Sequence, residues 1–197
     1  MACFGTLVSS RGGGHGDRRR ARAPGLNRSS VPAHNADVRF EHLVQINDPL
    51  IPLLDPLTRE QLWRGLVRRA EEPTLFVFAL EGAIVHARER SGDVVELTRT
   101  LDFGSFTVDD RVRLYPLDRT ETHTAGTAGW PASRLTIRIE EPRPDALFLR
   151  FTYESDEAET DGELDAIAAT LRKRAYESAD LDTVRRIREL AQRGELG

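Results

Sequence analysis

Between Ala83 and Tyr153 the chain alternates apolar and polar residues with a period of two, and Gly, Pro, Asp and Ser punctuate that alternation at short intervals. A helical domain cannot carry this pattern. It predicts consecutive antiparallel strands, placed near 83–90, 93–103, 106–115, 119–125, 133–141 and 146–154. An earlier strand is predicted over 38–46, where Val38, Phe40, His42, Val44 and Ile46 share one face. Between these blocks lies a marked helix start: Thr58 and Gln61 are spaced as a capping box, and Leu57 and Leu62 stand at the positions of a hydrophobic staple. Leu62, Trp63, Leu66, Val67 and Ala70 line one face of that helix. Pro73 opens a second short helix or turn.

After the acidic link 155–162, Leu164, Ile167, Ala168, Leu171 and Ala175 form one apolar stripe. Leu181, Val184, Ile187 and Leu190 continue it in shifted phase, through either a bend near 178–182 or a straight helix with a migrating stripe. The fold class is therefore α+β: a seven-stranded antiparallel sheet, short helices after the first strand, and a long C-terminal helix.

Residues 1–36 show neither period and are rich in Gly, Ser, Arg and Pro, so they are expected to be a disordered leader to a single domain over 37–193. The leader holds six arginines against the one acid Asp17, although the whole chain carries a net charge of -4. The body is therefore acidic, which disfavours contact with a phosphate backbone, and no nucleic-acid partner is expected. The longest apolar run, Leu75 to Leu80, is too short for a membrane span. One cysteine, Cys3, excludes an intrachain disulfide and fits a cytoplasmic location.

Chemical motifs are sparse. The five histidines, His15, His34, His42, His86 and His123, have no paired spacing, so no metal site is expected. Ser105 lacks a nucleophile-elbow context, no glycine-rich phosphate loop precedes a helix, and no cofactor is expected.

The informative positions are polar residues on apolar faces. If Gly104-Ser105 is a two-residue type II′ turn, Leu101 pairs with Val108 and Arg99 stands opposite Asp110. That pair is either a structural ion pair or an anchor for a polar group of a ligand. His42 interrupts the inner face of the first strand as a satisfied core histidine, or as a pocket hydrogen-bonding group or proton carrier. Tyr153 presents its hydroxyl to a cavity or to solvent. Trp130, between Gly129 and Pro131, is a loop contact or a flap at the mouth.

The order of strand, short helices, meander and terminal helix resembles the Bet v 1/START-like helix-grip superfamily, also called SRPBCC. The segment from about Phe40 to Leu190 is similar to its AtaL-like branch. The likeness rests on Phe40-Glu41-His42, Gln45-Ile46-Asn47-Asp48-Pro49, Leu62-Trp63, Arg69-Ala70-Glu71-Glu72-Pro73-Thr74-Leu75-Phe76, Leu101-Asp102-Phe103-Gly104, Ala146-Leu147-Phe148-Leu149-Arg150-Phe151 and Asp182-Thr183-Val184-Arg185-Arg186-Ile187-Arg188. The resemblance implies a curved sheet gripping the helix around a cavity, and no particular reaction. Ala168, Ala169, Ala175 and Ala179 are expected to leave that cavity open.

The expected function is binding of a hydrophobic or amphipathic small molecule, with His42, Arg99, Asp110, Tyr153 and Trp130 as ligand contacts. Two alternatives stand beside it. One is an enzyme like the polyketide cyclases and aromatases of the superfamily. The other is an interaction module using the basic side of the terminal helix, Arg172, Lys173, Arg174, Arg185, Arg186 and Arg188, for which an oligomer is one possible outcome.

Overall fold

The computed structural model describes residues 38–47, 55–127, 131–144, 146–156 and 163–197. The expected leader and Trp130 lie outside the described residues. In order, the chain forms β1 (Val38–Gln45), α1 (Arg59–Glu71), a 3-10 turn (Pro73–Leu75), β2 (Gly82–Ser91), β3 (Val94–Asp102), β4 (Thr107–Tyr115), β5 (Arg119–Thr124), β6 (Ser133–Glu140), β7 (Phe148–Ser155) and α2 (Glu163–Gln192). All neighbouring strands are antiparallel in the order β1-β7-β6-β5-β4-β3-β2, so the last strand returns to pair with the first.

α1 starts where local chemistry directs it. The Thr58 side chain accepts from the Gln61 amide, and the Gln61 side chain accepts from the Thr58 amide. Leu57 and Leu62 are both buried beneath that cap. The β3–β4 hairpin closes as the sequence requires: Gly104 takes a φ of 79°, which suits glycine, and Phe103 and Phe106 stack with ring centroids 4.9 Å apart.

The main core joins three elements. Leu62 and Leu66 of α1, Val184, Ile187 and Leu190 of α2, and Ile137, Leu149 and Phe151 of the sheet are all buried in one cluster. A smaller cluster places Ala70 against Leu97, Val112 and Leu114. Gly65 allows the two helices to meet, since a Cβ there would stand 2.7 Å from Ile187.

α2 runs unbroken from Glu163 to Gln192. Its two halves differ in a way the apolar pattern did not anticipate. Val184, Ile187 and Leu190 are buried, but Ile167 and Leu171 are 52% and 61% exposed, and Ala168 and Ala169 are exposed as well. Leu181, assigned by period to the buried stripe, is 54% exposed, and Asp180 and Thr183 take the inward positions. The reason is where the helix rests. α2 packs on β1 and α1, and its buried residues lie in the second half, while in the first half Tyr176 reaches Tyr153 and Phe40 of the sheet.

Candidate functional site

Alternation along the strands aims a set of polar groups at the space between sheet and helices. His42 pairs with Phe151 across β1 and β7, and Phe40 pairs with Tyr153, so all four side chains face inward. His42 and Tyr153 converge on one carboxylate. Asp180 of α2 accepts from the Tyr153 hydroxyl at 2.6 Å through one oxygen and lies 2.9 Å from His42 Nδ1 through the other. Asp180 is almost fully buried, whereas His42 keeps 22% of its side chain exposed. The imidazole is therefore the member of the pair that meets solvent.

Burial pushes the Asp180 carboxyl above its ordinary value, while the hydrogen bonds from Tyr153 and His42 act in the opposite direction. Burial also pushes the Tyr153 phenol up, with the Asp180 charge adding to the effect, so that phenol remains a donor. An ionised Asp180 can only accept hydrogen bonds. Against an ionised Asp180, His42 is the donor through Nδ1, and its Nε2 is the ring nitrogen turned away from the carboxylate. Tyr176 stacks on Tyr153 at 3.9 Å between centroids and completes an aromatic wall with Phe40.

Arg99 and Asp110 stand opposite each other, as the turn reading required. They form a two-pronged pair, Nε to Oδ1 at 2.8 Å and Nη2 to Oδ2 at 2.5 Å, and Arg99 Nη1 also donates to the carbonyl of Ala70 at 2.5 Å. Both residues are buried. The pair marks a boundary: on one side Leu97, Val112 and Leu114 are sealed, and on the other Leu101, Val108 and Val85 are only partly covered, Val85 being 41% exposed.

The sequence reading missed two members of this array. Asp180 is one; it is in helical phase with Val184 and Ile187, a signal that was present but is ambiguous for a charged residue. Arg69 is the other, one turn after Leu66 and Gly65 on the buried side of α1. Arg69 is partly buried, and its Nε is shut off from water with no hydrogen-bond partner among the described residues. Burial holds its guanidinium below the usual arginine range, with Arg99 adding to the effect and Tyr153, Asp180 and Asp110 opposing it. Arg69 thus lies within electrostatic reach of both clusters.

One hollow of about 420 Å³ lies between α1 and the β2–β3 hairpin. Another, of about 750 Å³, touches Arg99 and Asp110 but is otherwise built largely from outward residues such as His86, Arg111, His123 and Arg134. Neither is lined by His42, Tyr153 or α2. Ile167 and Leu171 of α2 are exposed, and Leu101 and Val108 on the inner face of the sheet are only partly covered. No group of three or more metal-ligating side chains occurs among the described residues. No helix among them is long and apolar enough to cross a membrane.

Comparison with known proteins places this geometry. Residues 44–194 match the family model of acetylaranotin biosynthesis cluster protein L, AtaL. The chain belongs to the AtaL family. Solved structures share the helix-grip fold of this chain. The di-domain ARO/CYC StfQ from the steffimycin biosynthetic pathway aligns with a TM-score of 0.57 at 12% identity, over 81% of this chain and 52% of StfQ. The chain thus spans about half of that protein. Ara h 8.0201 aligns at 0.52 and 9% identity, over 77% and 97% of the two chains. The Zhui aromatase/cyclase from Streptomyces sp. R1128 aligns at 0.50 and 12% identity, over 80% and 94%. At such identities the likeness is one of fold. Among curated proteins none matches the sequence.

Proposed function

We propose that the chain binds a largely apolar small molecule that carries a polar or acidic end, in the cleft between the sheet and the first half of α2. The observation that carries this reading is the Arg69 guanidinium: its Nε is kept from water with no acceptor among the described residues. An unmade hydrogen bond of a buried charged group is costly, and a ligand oxygen supplies the acceptor. Partly covered Leu101, Val108 and Phe106 offer the apolar surface for the rest of the molecule. Arg99 and Asp110 satisfy each other and Ala70, so their role in this reading is to position α1 and Arg69 rather than to touch the ligand.

Native mass spectrometry of the freshly purified full chain tests it. A retained compound of a few hundred daltons that is lost in Arg69→Gln supports the reading. No retained compound, together with no thermal shift from any member of a panel of aromatic and fatty acids, refutes it.

The His42–Asp180 pair favours a second reading, proton transfer during ring closure of a polyketone; among proteins of like fold, StfQ is an ARO/CYC and Zhui an aromatase/cyclase. His42 Nε2 takes a proton from a carbon flanked by two carbonyls, and Arg69 holds the enolate oxygen. The enolate carbon then adds to a second carbonyl within the same chain, and the proton returns to the new alkoxide. Cyclised product formed from a linear polyketone thioester, and lost in His42→Ala, distinguishes this from binding alone. The interaction-module reading loses part of its surface, because Arg186 donates to the carbonyl of Leu75 and Arg188 to those of Asp55 and Ile46.

A further inference from the structure

A second hollow with the makings of a ligand site begins with an irregularity in β2. Val85 pairs with Arg99, but Ala87 pairs with Thr98, so one extra residue enters β2 between them. In an uninterrupted strand Ala87 and Glu89 would face inward. The bulge instead sets Arg88 opposite Leu97 and Arg90 opposite Val95, which turns two guanidinium groups toward α1. A bulge that re-aims side chains gives up regular pairing to do so.

The surface those arginines meet is apolar. Trp63 and Val67 of α1 pack with Val95 of β3 on the cluster that contains Leu97 and Leu114. Arg88 pairs with Glu71, but Arg90 has no hydrogen-bond or ion-pair partner among the described residues. Arg68, across the hollow, has its buried Nε 3.1 Å from Glu72 Oε1, an ion pair that lacks hydrogen-bond geometry. Arg64 turns away to the carbonyls of Leu196 and Gly197, at 2.5 and 2.7 Å. Of the lining carboxylates, Glu71 is held by Arg88 and Glu195 by Arg193, which leaves Asp93, in the turn beside Arg90. The hollow measures about 420 Å³, within the usual range for small-molecule sites.

We propose that this hollow is a ligand site separate from the inner cleft and takes a small planar apolar anion, of the aromatic carboxylate class. Its ring lies against Trp63, Val95 and Leu114, and its carboxylate is held between Arg68 and Arg90. Guanidinium groups recognise carboxylates by parallel donors, and a ring beside an indole gains both buried area and stacking. A purely apolar molecule would leave Arg90 without an acceptor and Arg68 with Glu72 alone. A fully polar anion would leave the indole floor uncovered.

The test uses the full chain with Trp130→Phe, so that Trp63 is the one remaining indole of two. 2-Naphthoate is titrated while the indole N–H resonance of Trp63 is followed by NMR, and neutral 2-naphthamide serves as the comparison. The expected result is a saturable shift of that resonance by the acid, with affinity at least tenfold weaker for the amide. Arg90→Gln and Arg68→Gln each weaken acid binding about tenfold and leave amide binding unchanged. Because Arg90 is exposed, its substitution does not threaten folding, and circular dichroism confirms that. The imidazole C–H signals of His42 do not follow the same binding curve. No saturable shift at Trp63, equal affinity for acid and amide, unchanged affinity in Arg90→Gln, or a parallel response at His42 would each overturn the proposal.

Discussion

The hydroxyl of Tyr153 and the carboxylate of Asp180 meet at 2.6 Å, joining the last strand to the middle of the terminal helix. The contact sits where the helix changes character. Beyond it Val184, Ile187 and Leu190 are buried, and before it Ile167 and Leu171 face water. A polar tie with His42 as its third member therefore holds α2 at the inner end of the cleft.

Removing that tie is expected to loosen the helix. Asp180→Ala leaves the buried Tyr153 hydroxyl and His42 Nδ1 without their acceptor, and the expected loss is about 2–4 kcal/mol. Tyr153→Phe removes one hydrogen bond with little change of shape and is expected to lose about 1 kcal/mol. Urea unfolding of the two variants checks the order; equal stability of Asp180→Ala and the parent would contradict the buried tie.

The same carboxylate sets a pH dependence of definite sign. Burial raises the Asp180 value in the folded chain above its ordinary value of 3.8, so the folded state binds the proton more tightly than the unfolded state. Stability from this group is then fullest below the ordinary aspartate value and declines as pH rises through the raised one. Unfolding free energies of the parent and Asp180→Asn, measured from pH 3 upward, isolate the term. The parent is expected to lose stability relative to the variant as pH increases through that window, and a relative gain would show that the hydrogen bonds outweigh burial.

Arg99 and Asp110 are expected to behave as a buried pair whose halves cannot be removed singly. Arg99→Met or Asp110→Leu alone leaves an unpaired charge in the interior and costs about 3–5 kcal/mol. The double substitution is expected to recover most of that loss, because both charges and their desolvation are removed together. A double-mutant cycle in urea gives the coupling directly. Additive losses would mean that the two side chains do not share one environment.

Gly65 reports on the contact between helices. A methyl group there lies 2.7 Å from two carbons of Ile187, so Gly65→Ala is expected to cost about 1–3 kcal/mol despite the better helix propensity of alanine. Combining it with Ile187→Val removes one methyl from the crowded side chain. The combination is expected to lose less stability than the sum of the single changes, as thermal unfolding would show.

Much of this molecule was legible along the chain. Thr58 and Gln61 set the start of α1 by hydrogen bonds that span three residues, and Gly104-Ser105 set the register that places Arg99 opposite Asp110. His42 and Tyr153 were visible as polar breaks in apolar faces, although their common partner was not. The β2 bulge was hidden, because an alternating strand and a bulged one of the same composition differ only in which neighbour each residue meets.

The sequence by itself determined the elements and their faces, since alternation, capping and turn geometry act over a few residues and need no distant partner. Tertiary structure alone decided which charges meet. Whether Asp180 or Leu181 turns inward depends on the exact seat of α2 against β1 and α1, a rotation that a helical stripe in shifting phase leaves open. The Arg69 guanidinium likewise acquires its meaning from Asp180, Tyr153 and Asp110, groups brought near it by chain far away in sequence, in a setting where burial makes each charge depend on its neighbours.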